Sequence, residues 1–335
     1  MNVFTEVYEK SIELLKAPAL DPSWKVIEGN LKALLDKDCP NSGKGAALAD
    51  LRAHLKNAGK AGKPAAAAAE EILKASNTGS IGYQERAALV KTMKHFYMVA
   101  AKGGQTIWVV DSPKAYASWA YDTMAGKAEA ELKTELQKEE EVFGESNRKM
   151  MSDSLQLARK WSADVQAKLG TPDDETKTVI KRWFHEAAAT ADEVDATAAT
   201  LLKGFKQIHA SCNSGAVIFS DRPHLRTSGK WDNVYASVND LDAMPVIYIF
   251  QVFLEAGKRN VFGNIPKLWL CALTVVHELS HKLVKTEDIR YDDDGLKPGI
   301  GFTTADALKN ADSWAYFCAD MVGALSKGTL KKVLV

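Results

Sequence analysis

The chain has 335 residues, 46% of them hydrophobic and 26% charged, which is enough apolar material for a substantial core and enough length for two domains. Lys plus Arg and Asp plus Glu balance at 43 each, so the total charge asks for neither nucleic acid, nor an anionic membrane, nor a strongly acidic partner. Four cysteines, Cys39, Cys212, Cys271 and Cys318, lie far apart without a CxxC pair; this argues against a thiolate zinc knuckle or a dense disulfide scaffold and leaves room for one or two bridges.

Met1 to Leu20 mixes apolar residues with Glu6, Glu9, Lys10, Glu13 and Lys16, a pattern without the uninterrupted apolar core of a signal peptide. The expectation is a chain that stays in the cytoplasm or leaves by a specialised route. From Met1 to about Gly170 the sequence is rich in Ala, Lys, Glu and Leu at helical spacing, as in Val3, Val7, Ile12 and Leu15, with turn residues at 38–43 and 59–64 dividing the helices. Thr106 to Val110 is a short β-favouring interruption, a strand or a loop. A long periodic region, Lys127 to Leu169, ends at Gly170-Thr171-Pro172-Asp173-Asp174, where glycine and proline mark a stop and a fresh start. The domain boundary is placed there: 1–170 a mostly helical domain of unknown role, 171–335 a second domain.

Thr176 to Ile208 reads as two helices, with Val179, Trp183 and Ala187, then Val194, Ala198, Leu201 and Phe205, in helical register. Val217-Ile218-Phe219 and Val246 to Phe250 are β-branched and aromatic runs that predict a small sheet, so this half is expected to be α+β. The most apolar run, Met244 to Leu254, is about half the ~20 residues of a membrane-spanning helix and reads as a buried strand.

Residues 266–284 form an apolar helix containing His277-Glu278-Leu279-Ser280-His281. Residues four apart share a helical face, so His277 and His281 can present two imidazole nitrogens to one metal ion. Glu278, between them, has the position of the general base that takes a proton from the activated water and returns it to the leaving amine in zinc peptidases. His185-Glu186 offers a contrast: its partner position is Ala189, so the pair cannot chelate and reads as solvated surface. A catalytic zinc takes three protein ligands and leaves one position open, so a third ligand is expected downstream. Metzincins place a glycine and a histidine at the positions of Val284 and Glu287, which excludes that class.

The segment directly after the helix, Thr286-Glu287-Asp288-Ile289-Arg290-Tyr291, resembles the deuterolysin and lysine-specific metallo-endopeptidase group, the aspzincins, with their Gly-Thr-x-Asp-x-x-Tyr-Gly signature. Thr286, Asp288 and Tyr291 match, while Lys285 and Asp292 stand where the signature has glycine. The resemblance implies a zincin fold, a single Zn2+, Asp288 as the third ligand and the Tyr291 hydroxyl as donor to the oxyanion. Asn310-Ala311-Asp312-Ser313-Trp314 is similar to the segment opening the family's last helix. It implies a place for Asp312 beside the active site, in contact with substrate or supporting it. The family's lysine-specific members carry a glutamate three positions later; here Ala315 stands there, so strict lysine specificity is not expected. The resemblance covers roughly 178–325 and nothing of residues 1–170.

Among the other carboxylates, Asp312 remains a rival third ligand, and the Asp292-Asp293-Asp294 run reads as a solvated turn before Gly295. His54, His95, His209 and His224 lack ligand spacing. The expectation is a zinc metalloendopeptidase acting on polypeptide, of the kind a bacterium exports as an effector or toxin, with an inhibitor, immunity or secretion-machinery partner at the N-terminal domain and no nucleic-acid or membrane partner. Hydrolysis of cell-wall peptide cross-links is a second reading, and a binding or delivery protein with a vestigial metal site a third.

Overall fold

The structure, a computed structural model, describes residues 40, 42–43, 45–47, 49–50, 53, 108–110, 142–214, 217–226, 228–240, 245–255 and 265–335. The chain divides into two compact units: Met1–Gly144 with Asp221–Ser228 and Leu241–Met244, and Glu145–Ser220 with Gly229–Asp240 and Pro245–Val335. The first unit contributes helical residues between 42 and 53 and the strand β1, Trp108–Val110. Most of the helical N-terminal half expected from the sequence, and Cys39, His54 and His95 with it, lies outside the described residues.

The second unit opens with α1, Glu145–Gly170, a helix ahead of the expected boundary that packs with the elements behind it. Helix α2, Asp174–Phe184, starts where Asp173 accepts the Thr176 amide at 2.8 Å, and Asp174 and Glu175 in its first turn complement the helix dipole. It ends at His185, and α3, Ala191–Ser214, begins after a reciprocal cap: the Glu193 carboxylate accepts the Thr190 amide at 2.8 Å and the Thr190 hydroxyl accepts the Glu193 amide at 3.3 Å. The pair of helices read from Thr176 to Ile208 is thus two capped helices with an irregular link. His185 is a correction to the surface reading: it is buried, with Nε2 3.0 Å from the Thr197 hydroxyl, while Glu186 is exposed.

Strand β2, Ile218–Ser220, pairs parallel with β4, Val246–Ile249, with Ile218 opposite Val246; the two-residue β3, Ala236–Ser237, pairs antiparallel with β4 on its other side. All four β4 residues are buried. The apolar run from 244 to 254 is not one strand: after Phe250 it turns into the short helix α4, Gln251–Leu254, so a strand and a helix share its buried side chains.

Helix α5, Lys267–Val284, carries the two histidines and packs on α1, α3 and α7, Ala311–Met321. Between them α6, Thr304–Lys309, is closed at its start by a Thr303–Asp306 capping box. Ala272, Val275, Val276 and Leu279 bury one face of α5, each removing apolar surface from water at about 25 cal/mol per Å². The core beneath is aromatic: Phe205 lies 5.4 Å from Trp314 and 5.9 Å from Phe317, and Phe184 meets Phe317 edge-on at 5.2 Å. Gly204 makes this packing attainable, since a Cβ there would stand 2.4 Å from the Trp314 ring. Helix α8, Lys327–Val333, comes after α7, so α7 is not the last helix. Cys212, Cys271 and Cys318 are buried free thiols.

Candidate active site

The exposed face of α5 is set by the helical period. Val275, Val276 and Leu279 point to the core, and His277 and His281 emerge together beside a cleft of about 490 Å³ lined by Ser237, Val238, Asp240, Glu278, His281 and Asp288 among others. Strand β3 borders this cleft. The run Val246 to Phe250, legible as a strand in the sequence, is buried within the sheet, whereas the two-residue β3 is too short to show any period in the sequence.

Helix α5 ends at Lys285, which adopts the left-handed conformation at φ 68° and ψ 40°. This explains the glycine that the aspzincin signature has here: the helix must be stopped by a left-handed residue to turn the chain back to the histidines. Lysine adopts the same shape at a cost of about 1–2 kcal/mol, while its ammonium pairs with Asp240 at 2.8 Å. The chain then crosses α5, and Glu287 is bridged to the start of α7: its amide donates to the Lys309 carbonyl at 2.6 Å and its carbonyl accepts the Ala311 amide at 3.0 Å.

This turn brings Asp288 to the histidines. His277 Nε2 and His281 Nε2 are 3.0 Å apart, and Asp288 Oδ1 is 3.1 Å from each. The outer nitrogens are occupied. His281 Nδ1 is 2.7 Å from the Thr286 carbonyl, which can only accept, so Nδ1 carries the proton; His277 Nδ1 donates to Asp312 Oδ1 at 2.7 Å. In the neutral rings both Nε2 lone pairs therefore face each other and a carboxylate oxygen. That convergence is repulsive without a cation, and its spacing is near the roughly 3.3 Å between donors around a tetrahedral zinc with bonds of about 2.0–2.1 Å. The donor set and the tied-off Nδ1 groups fit zinc.

Electrostatics agree with a cation-binding cluster. Burial opposes charge on His277, but its hydrogen bonds with Asp288 and Asp312 prevail and raise its pKa well above the ordinary value; on His281 burial again opposes charge, and the hydrogen bonds with Asp288 and the Thr286 carbonyl raise the pKa. Burial works against the Asp288 carboxylate, yet the two imidazoles hold its pKa far below the usual range. Glu278 is 4% exposed, and burial raises its carboxyl pKa although the two histidines pull it down. Tyr291 is half exposed, its hydroxyl interacts with Asp288, and burial with that negative charge pushes its pKa up to about 12, so it stays a proton donor at neutral pH.

Asp312 is buried behind His277 with both oxygens engaged: Oδ1 on His277, Oδ2 accepting the Asp292 amide at 3.0 Å. Asp292 also departs from the solvated-turn reading. It lies in a short 3-10 turn, Asp292–Asp294, but its side chain is turned inward and accepts the Tyr316 hydroxyl, while Asp293 and Asp294 are exposed. Asn310 received no role from the sequence. Fully buried, its Oδ1 accepts the amides of Ile289 at 3.0 Å and Arg290 at 2.9 Å, and it fixes the segment between Asp288 and Tyr291. Ser280, inside the histidine motif, hydrogen-bonds Thr286 at 2.7 Å and so aligns the carbonyl that holds His281. The only signal for Asn310 was its place beside Asp312.

No curated protein matches the chain. The family profile described as lysine-specific metallo-endopeptidase matches residues 170–319, which span both histidines, the Asp288 turn and nearly all of α7. Residues 170–319, most of the C-terminal half, thus match the aspzincin family, whose members are zinc-dependent metalloendopeptidases.

Proposed function

We propose that this domain hydrolyses internal peptide bonds of polypeptides, with His277, His281 and Asp288 holding one zinc ion. The observation that carries the reading is the meeting of three donor atoms at 3.0–3.1 Å with both imidazole Nδ1 protons committed elsewhere. Zinc, when bound, polarises the scissile carbonyl and lowers the pKa of the attacking water to roughly 7. Glu278, at the cleft wall with a raised pKa, takes the proton from that water and delivers it to the departing amine. Tyr291 donates its hydroxyl proton in a hydrogen bond to the carbonyl oxygen as negative charge gathers there. Asp312 does not meet substrate in this mechanism; it holds His277 in the tautomer that leaves Nε2 free.

Cleavage on this reading is not restricted to lysine sites. Ala315 is buried and offers no carboxylate, and Asp312 is committed to His277 and the Asp292 amide. The proposed setting is an exported effector or toxin restrained by an inhibitory partner. Among the described residues no helix is long and apolar enough to cross a membrane.

The test is chelation and zinc restoration on the full chain with casein and with purified bacterial cell wall as substrates. Casein cleavage should disappear with the chelator and return with about one zinc per chain. Zinc-independent cleavage, or cleavage of cell wall and not casein, would overturn the reading.

A further inference from the structure

Tyr291 is half exposed, so that beyond the contact of its hydroxyl with Asp288 its place depends on the loop that carries it. The residue after it, Asp292, is bound twice to one face of α7. Its amide donates to Asp312 Oδ2 at 3.0 Å, and its carboxylate accepts the hydroxyl of Tyr316, one helical turn beyond Asp312. Tyr316 is itself held by packing. It is 4% exposed and stacks on Trp183 with ring centroids 6.1 Å apart, and the Trp183 indole nitrogen donates to Asp320 at 2.7 Å. A buried tyrosine hydroxyl needs an acceptor, since leaving one unpaired costs about 1–3 kcal/mol. A glycine at 292 would supply none. Asp292 and Tyr316 are therefore a matched pair, and the rigid stack behind Tyr316 makes it an anchor for the loop.

We propose that Asp292 and Tyr316 are positioning residues for the reaction: their hydrogen bond pins the peptide next to Tyr291 to the helix whose Asp312 orients His277, and so sets the Tyr291 hydroxyl for the developing oxyanion. The inference rests on the peptidase reading above. Neither residue meets substrate or metal; both act through Tyr291. A misplacement of a reacting group by about 1 Å can cost on the order of a hundredfold in rate.

The experiment measures kcat, KM and zinc content for Asp292→Ala, Asp292→Asn, Tyr316→Phe and the double variant Asp292→Ala/Tyr316→Phe, each in the wild-type and the Tyr291→Phe background. Glu278→Gln is the reference. Expected are kcat losses of about ten- to a hundredfold for Asp292→Ala and Tyr316→Phe, no further loss in the double variant, KM and zinc content close to wild type, and recovery in Asp292→Asn, whose amide oxygen still accepts the hydroxyl. In the Tyr291→Phe background the same changes should have no effect on kcat. Tyr316→Phe keeps the stacked ring, so it reports even where Asp292→Ala folds poorly. Wild-type kcat in Tyr316→Phe, or losses that multiply with Tyr291→Phe, overturns the proposal while an inactive Glu278→Gln leaves the peptidase reading standing. A fully active Glu278→Gln overturns both.

Discussion

His277 Nδ1 and Asp312 Oδ1 lie 2.7 Å apart, thirty-five positions apart in the chain, and this one hydrogen bond decides which nitrogen of the ring faces Asp288. Replacing Asp312 by Ala frees the ring to rotate and to exchange tautomers. Zinc affinity in Asp312→Ala should fall about 10- to 100-fold, and Asp312→Asn, which keeps an acceptor, should lose less. Competition with a chromophoric chelator measures both; equal affinities in the two variants would remove Asp312 from the support of the metal site.

Asp292 makes stability depend on pH. Burial, together with the negative charges of Asp312 and Asp293, raises its pKa from 3.8 to about 6 against the opposing hydrogen bond from Tyr316. The folded state then holds this proton more tightly than the unfolded chain. Its favourable contribution is complete below pH 3.8 and is lost as pH rises through about 6. Asp292→Asn removes the titration, so urea denaturation between pH 4 and 8 should show the variant gaining on wild type as pH rises; a constant difference would contradict the assignment.

Lys285 offers a clean comparison at the end of α5. Glycine and alanine at 285 both lose the exposed pair with Asp240, but only glycine enters the left-handed region without a Cβ penalty. Lys285→Gly should be more stable than Lys285→Ala by about 1 kcal/mol in chemical denaturation. Equal stabilities would mean that the turn relaxes in the alanine variant.

Much of the site was legible in the sequence because its chemistry is periodic and local. His277 and His281 are one turn apart, the apolar face of α5 follows the helical period, and Thr286, Asp288 and Tyr291 lie within a dozen positions of the helix. The rest depends on tertiary approach. The inward turn of Asp292 requires Tyr316 from α7, the burial of His185 requires Thr197 from α3, and the two residues of β3 are too few to carry a pattern. A run of three aspartates reads as solvated until a helix is laid against one of them. The short helix after β4 was hidden for the related reason that the strand buries all four of its side chains and the helix follows directly with Val252 and Phe253 buried, so no alternation marks where one ends and the other begins.

In the proposed mechanism everything turns on Glu278, which is buried at the cleft wall beside the two histidines and moves the proton in peptide hydrolysis. The most direct measurement is casein hydrolysis by Glu278→Gln at matched zinc content. A loss on the order of a thousandfold or more, with zinc retained, is the expected result. Hydrolysis by Glu278→Gln at the wild-type rate would contradict it.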